Sequence, residues 1–348
     1  MNILFGVQAT GNGHISRSRE IIRCLKEKRH TVSVILSGRD PALLWDMDEF
    51  MPYTTFKGLT FSTYRGKIRY LDTLKNLDLK GFFSDVNSFD VSGFDIVITD
   101  FEPVSSRIAK RHHIPSIGIG HQYAFYYDIP TAGKTPVSNY IIRNFAPLDY
   151  PVGLHWHHFG QPILPPVVPR LNENVSSIEN KILVYLPFEE QEDILTLITP
   201  FKNYDFFVYH KFETPSINKN IHLCPFSRNG FLNDLIECSG VITNAGFELV
   251  SEALATGKKI LLKPLAGQME QLSNAKAITM LSLGQAMKSL DSREVETFLN
   301  LPQASPINYP YTAEIIADII DSGAWADMNR FVKEAWANVN IASYAAAS

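Results

Sequence analysis

The sequence is short of several features that would narrow its class at once. It has 3 cysteines in 348 residues, and Cys24, Cys224 and Cys238 are too far apart for a CxxC pair. A disulfide framework and a cysteine zinc site are therefore both poor expectations, and a reduced, intracellular setting fits best. No stretch approaches the ~18 apolar residues that a spanning helix needs. The opening Met-Asn-Ile-Leu-Phe-Gly-Val lacks the charged lead-in of a secretory signal. The expected location is thus cytoplasmic, with peripheral membrane contact left open. An excess of basic charge is absent too. Lys and Arg number 32 against 36 Asp and Glu, a formal net charge of −4, which argues against a broad phosphate-tracking surface and against a nucleic-acid partner. No short-period repeat is evident.

What is present is an ordinary globular composition, 45% hydrophobic and 20% charged, in a chain long enough for two cores. Ile3 to Val7 reads as a buried strand. Gln8 to His14 reads as a loop, Ile15 to Lys28 as a helix with an apolar face, and Thr31 to Leu36 as a second strand, together a βαβ unit. Residues 40–92 are rich in aromatics and turn formers and show weak periodicity. The α/β alternation returns with a strand at Asp95 to Thr99, a helix at Val104 to His112 and a strand at Ile114 to Ile119. The proline cluster from Gly160 to Pro169 suits a semi-rigid linker. A second series then begins at Lys181 to Leu186. It continues with a strand at Phe206 to Tyr209, a helix at Gly230 to Cys238, a strand at Gly240 to Thr243, a helix at Phe247 to Thr256 and a strand at Lys259 to Lys263. Thr312 to Ala337 reads as helical.

Ligands of open parallel sheets bind beyond the carboxyl ends of the strands, and four clusters lie at such ends. Gly11, Gly13, His14 and Arg17 follow the first strand. Glycines allow close backbone approach and a helix N-terminus favours anions. His14 there is either a general base or a helix-capping histidine. The dinucleotide fingerprint is only half met, because Ser16 stands where a third glycine belongs. Asp100 and Glu102 follow a later strand, where Asp100 either orients His14 or, like Glu102, caps the next helix. His121 and Gln122 follow another and are candidate substrate contacts, as are Arg17 and Glu102. In the second half, Asn244, Ala245, Gly246 and Phe247 form a small-residue turn before a helix on which Glu248 and Glu252 share a face. Such a turn offers free N–H groups to a diphosphate, and Glu252 is placed to accept from ribose hydroxyls. Gln268, Gln271 and Asn274 recur at three-residue spacing, suited to reading sugar hydroxyls.

Ala245-Gly246, Ser251-Glu252-Ala253, Gly257, the strand at 260–263, Pro264 and Gln271-Leu-Ser-Asn274-Ala275 together resemble the donor-binding signature of GT-B glycosyltransferases. The pattern is similar to that of the lipid II-forming N-acetylglucosaminyltransferases and the wider UDP-glycosyltransferase group. The resemblance implies an α/β fold of two Rossmann-like lobes with parallel sheets facing a cleft: residues 1–162 on the acceptor side, 163–325 on the nucleotide-sugar side, and 326–348 as a helix returning to the first lobe. It implies a hexosyltransferase using a nucleotide diphosphate sugar, UDP-linked by expectation. Glu252 would hold the ribose, the Gly246 and Phe247 amides the diphosphate, and Gln268, Glu270 and Gln271 the sugar, with Phe226 near the base and His14 at the reaction centre. The chain departs from the lipid-linked enzymes in its shorter glycine loop and in Glu270 beside Gln271. Inversion at the anomeric carbon, no cofactor and no metal are further expectations. Asp46-Met-Asp48 spells a DxD triplet, but it follows no apolar strand. His155, His157 and His158 are read as alternating side chains on a strand. The lysines and arginines at 57, 65, 67, 69, 75 and 80 are either an acceptor or membrane surface or a solvated face. Two other functions stay open: a nucleotide-sugar hydrolase or epimerase, suggested by Gly-x-Gly-His-x-x-Arg, and a non-catalytic nucleotide-sugar sensor.

Overall fold

A computed structural model describes residues 1–44, 46–60, 78–170 and 177–341, together with the backbone of 63–64 and 67–68. The first half alternates as β1 (Asn2–Gln8), α1 (Asn12–Glu27), β2 (Thr31–Ser37) and β3 (Tyr53–Phe56). A small antiparallel pair follows, β4 (Thr63–Tyr64) and β5 (Lys67–Ile68). Then come α2 (Leu79–Ser88), β6 (Ile96–Asp100), α3 (Pro103–His112), β7 (Ser116–Gly120), α4 (His121–Ala124), α5 (Pro136–Asn144) and β8 (Tyr150–Gly153). Six of these strands form a sheet in the order β3-β2-β1-β6-β7-β8, parallel throughout. A sheet covered on both faces needs strands that are apolar on both sides. Ile3, Phe5 and Val7 pack with Ile21, Ile22 and Leu25 of α1, while Leu4 packs on the other face with Val104 and Ile108 of α3.

The second half contains β9 (Ile178–Tyr185), α6 (Gln191–Ile198), β10 (Asp205–Tyr209), β11 (Ser216–Asn218), β12 (Ile221–Cys224), α7 (Arg228–Glu237), β13 (Cys238–Thr243), α8 (Phe247–Ala255), β14 (Lys259–Leu262), α9 (Met269–Met280), β15 (Gln285–Ala286) and α10 (Ser292–Leu299). Its sheet runs β11-β12-β10-β9-β13-β14-β15, with only the edge pair β11–β12 antiparallel. Two α/β lobes with parallel sheets match the fold expected from the sequence.

Three details differ from the sequence reading. The proline segment read as a semi-rigid linker is packed into the protein: Ile163, Leu164, Val167 and Val168 are buried, and Leu164 bridges to Leu154 beside β8. Residues 155–160 form turns rather than a strand. His155, His157 and His158 each accept from a backbone N–H one or two residues on, at 2.8, 2.9 and 2.9 Å, a local bonding that competes with a ladder. The C-terminal helical stretch is two helices, α11 (Thr312–Ser322) and α12 (Asn329–Trp336), broken at Gly323, whose φ of 71° ends α11 in the left-handed conformation. Lys28 of α1 pairs with Asp318 of α11 at 2.6 Å, and Trp336 Nε1 of α12 donates to the Ile163 carbonyl at 2.7 Å.

Candidate functional site

Among the parallel strands of each sheet the order reverses once. In the first lobe the reversal lies between β1 and β6, in the second between β9 and β13. Loops leaving neighbouring strands at a reversal turn to opposite faces and open a crevice. The chain places Gly11–His14 and Asp100 at the first crevice, and Tyr185 and Asn244–Gly246 at the second. The two crevices face each other across one cleft of ≈ 1680 Å³, lined from both lobes. That exceeds the ~300–1,000 Å³ of a site for one drug-sized ligand, so two substrates fit together.

On the first lobe, His14 Nδ1 lies 2.8 Å from Asp100 Oδ1. Asp100 is fully buried and also accepts from Arg17 Nε at 3.1 Å and Ser18 Oγ at 2.8 Å. Burial by itself would raise its pKa, but the Arg17 guanidinium and then His14 outweigh burial and hold it at about 2. A carboxylate fixed in this way accepts from Nδ1–H and leaves the lone pair of Nε2 for a proton. His14 keeps 16% of its side chain exposed, at the cleft wall with Gly11 and Gly13.

Arg17 lines the cleft, whereas Glu102 does not sit where a substrate contact was expected. Arg17 is buried against Asp100. Glu102 is buried and turned away from the cleft: it accepts from Ser37 Oγ at 2.6 Å and from the backbone N–H of Val104 and Ser105 at 2.8 and 2.6 Å. It is the N-cap of α3, the capping alternative left open by its position. Gly6 makes room for Ser105 first and for Glu102 beside it, since a Cβ there would collide with Ser105 Oγ and lie 2.9 Å from Glu102 Oε2. Burial raises the Glu102 pKa.

On the second lobe, α8 begins at Gly246 and α9 at Gln268, and neither has a side-chain cap; nor has α1. Helices α3, α5, α7 and α10 are capped by Glu102, Thr135, Ser227 and Asp291. The starts of α1, α8 and α9 thus leave backbone N–H groups and positive dipole ends at the cleft for an anion, whereas the uncapped start of α6 brings Glu190, Glu192 and Asp193 to it. Gly246, Phe247, Glu248 and Glu252 line the cleft, as do Asn244, Gln268, Glu270, Gln271 and Phe226. Ala245 is buried behind them, its carbonyl accepting from Asn274 Nδ2 at 2.9 Å. Glu252 accepts from Ser16 Oγ at 3.4 Å; burial raises its pKa to about 7, opposed by that hydrogen bond. Gln122 Oε1, Asn244 Oδ1 and Gln268 Oε1 are buried without a protein partner. The Gln122 and Asn244 oxygens are defined, because their amide nitrogens donate to Glu270 at 3.2 Å and to the Lys263 carbonyl at 2.8 Å. Acceptors of this kind suit a hydroxyl-rich ligand.

His121 is fully buried among the residues that line the cleft. Its ring stacks on Phe247 at 4.0 Å and 4°. Nδ1 is 2.9 Å from the Leu154 carbonyl and Nε2 2.6 Å from Asn274 Oδ1, and burial lowers its pKa. Trp156, absent from the sequence reading, stacks on Phe247 and donates to Ser251 Oγ at 2.8 Å. These rings join the lobes behind the cleft. Also unforeseen were Ser18 and Tyr185, which sit on an expected helix and strand but carry no motif of their own.

The DxD triplet is engaged elsewhere. Asp46 pairs with Arg228 of α7 across the cleft rim and approaches Arg19 at 3.5 Å. Among the described residues, no three His, Cys, Asp or Glu converge as metal ligands, and no helix is long and apolar enough to cross a membrane. Lys57 is exposed near Asp78 and Lys80 is exposed; the side chains of Arg65, Lys67, Arg69 and Lys75 lie outside the described residues.

A family model described as glycosyl transferase family 1 matches residues 1–302. No curated protein matches the sequence. Among solved structures, the glycotransferase of kitacinnamycin is similar with a TM-score of 0.59, 12% identity and coverage of 96% of this chain and 95% of its own. The glycosyltransferase SsfS6 of Streptomyces sp. SF2575 gives 0.55, 13%, 97% and 96%. The glycosyltransferase VinC, solved in complex with dTDP, gives 0.55, 12%, 96% and 100%.

Proposed function

Because this chain belongs to glycosyl transferase family 1 and is a glycosyltransferase of the GT-B fold, we propose that it moves a hexosyl group from a nucleotide diphosphate sugar, UDP-linked, to an acceptor hydroxyl with inversion and without a metal. The observation that carries this reading is the His14–Asp100 pair, 2.8 Å apart, facing the uncapped start of α8 across the cleft. His14 Nε2 takes the proton of the acceptor hydroxyl as its oxygen attacks the anomeric carbon. The bond from that carbon to the diphosphate oxygen breaks on the opposite side, and the electron pair leaves with the diphosphate. The N–H groups at the start of α8 stabilise the charge that develops there. Glu252 accepts from the ribose hydroxyls, and Gln268, Glu270 and Gln271 read the sugar. Phe226, 43% exposed, and Tyr185 offer aromatic faces to the base. VinC was solved with another pyrimidine diphosphate, so dTDP-sugars belong in the test beside UDP-sugars.

The test measures nucleoside diphosphate release from UDP-glucose, UDP-N-acetylglucosamine and dTDP-glucose, with and without phenolic, sugar and polyprenyl-phosphate acceptors. Acceptor-dependent release is expected, and His14→Ala should lower it by roughly 10²–10⁴. Stoichiometric free sugar without an acceptor would replace transfer by hydrolysis. Donor binding without turnover, unaffected by His14→Ala, would make the protein a sensor.

A further inference from the structure

Arg17 stands one turn after His14 on α1 and is 3% exposed. Its guanidinium reaches three groups. Nε and Nη2 hold Asp100 Oδ2 and Oδ1 at 3.1 and 2.5 Å. Nη2 also lies 3.1 Å from His14 Nδ1. Nη1 forms an ion pair with Glu248, the second residue of α8 in the opposite lobe. One planar cation therefore joins the carboxylate that orients His14 to a carboxylate of the donor-side lobe. The fork is hydrogen-bonded to Asp100, whereas Glu248 meets it as a buried ion pair with neither carboxylate oxygen hydrogen-bonded among the described residues. The approach depends on Gly13: a Cβ there would lie 2.6 Å from Glu248 Cγ, so a bare backbone in the loop lets Glu248 come in.

We propose that Glu248 is a positioning residue for the transfer reaction. It acts through Arg17 and Asp100 on His14, so that the proton-accepting geometry of His14 is set only when the two lobes are closed. This rests on His14 being the base. The reason is both steric and electrostatic. When the lobes part, Glu248 leaves with α8, and Arg17 loses one of its two anchors. Arg17 then stands beside the imidazole with Asp100 alone as counter-charge, which opposes the positive charge His14 gains on accepting a proton. With Glu248 in place, two carboxylates flank one guanidinium and that charge is accommodated. The other charged or titratable groups around the pair are Glu252 on α8, Glu270 on α9 and His121 on α4. Glu252 and Glu270 accept from Ser16 and Gln122, not from Arg17. Donor closure and readiness of the base are thereby one event, which keeps the base unready on an open, water-filled cleft.

The test compares Glu248→Gln, Glu248→Asp and Gly13→Ala in the full chain with the wild type, using UDP-glucose and whichever acceptor supports turnover. Glu248→Gln is close to isosteric and removes only the charge. It should lower kcat at least about tenfold, leave the donor KM within about threefold, and move the acid limb of the pH–rate profile to lower pH. Glu248→Asp should restore part of kcat, and Gly13→Ala, which pushes Glu248 aside, should resemble Glu248→Gln. Combining Glu248→Gln with Arg17→Lys should cost far less than the two losses added, because both act in one chain of contacts. An unchanged kcat and pH profile in Glu248→Gln, or a rise confined to the donor KM, overturns the proposal while His14 stands as the base. Full turnover in His14→Ala overturns the base itself and this coupling with it.

Discussion

Glu252 lies one turn beyond Glu248 on α8, buried, with Ser16 Oγ across the cleft as its hydrogen-bond partner. Its pKa rises from 4.5 to about 7 because burial penalises the charge. The folded protein therefore holds this proton more tightly than the unfolded chain. The stabilisation is complete below the unfolded value and is lost as pH rises through about 7, an effect of up to about 3 kcal/mol. Urea denaturation of the ligand-free protein from about pH 5 to about pH 8 should show this loss, and Glu252→Gln should abolish it. Parallel curves for the two proteins would refute it. Donor binding has the opposite slope. Ribose hydroxyls donate to a carboxylate better than to a neutral acid, so calorimetric Kd values for UDP should tighten as pH rises through the same range.

At the scale of elements, the starts of α2, α3, α5, α7 and α10 are closed by their own side chains; those of α1, α8 and α9 are among the ones without a side-chain cap, and they open on the cleft. Glu102 shows the difference, because sequence position alone left it as either cap or substrate contact. Its neighbour Asp100 ends β6 turned to His14, Arg17 and Ser18, and two residues later the chain has turned into α3. Glu102→Ala should cost about 2–3 kcal/mol, from a lost cap and newly unpaired buried donors. Thermal unfolding would register the loss, with KM for both substrates unchanged; a raised acceptor KM at full stability would return Glu102 to the substrate. The strands and helices of both βαβ series were legible because apolar runs and periodic faces report burial directly. The turns at 155–160 were not. Histidine and tryptophan alternate there as in a strand, and only the side-chain to backbone bonds of His155, His157 and His158 decide otherwise.

Across the whole molecule, the lobes meet through polar pairs at the cleft and aromatic rings behind it. Gln122 holds Glu270, Arg17 holds Glu248, and His121 and Trp156 stack on Phe247. Asp46 spans the rim to Arg228. In the transfer proposed above, with Asp46 paired to a cation, uncapped helix N-termini at the cleft would neutralise the leaving diphosphate. Turnover should therefore survive excess EDTA unchanged. A rate lost to EDTA and restored by Mg²⁺ or Mn²⁺ would overturn metal independence. Asp46→Asn should loosen the rim without creating or removing a metal requirement.

The amino-acid sequence by itself determined the two-lobe α/β fold, the cleft-facing loops and the run from Asn244 to Asn274. Each is written in local pattern: apolar periodicity, glycine at tight turns, polar residues at strand ends. Tertiary structure decided which of two roles each polar residue took. Asp100 and Glu102 are two residues apart, yet one orients His14 and the other caps a helix, because β6 ends between them. Arg17 and Glu248 are distant in sequence and adjacent in space, since the two sheets place their reversal points across one cleft. Such pairings depend on how the lobes pack, and local pattern carries no record of that.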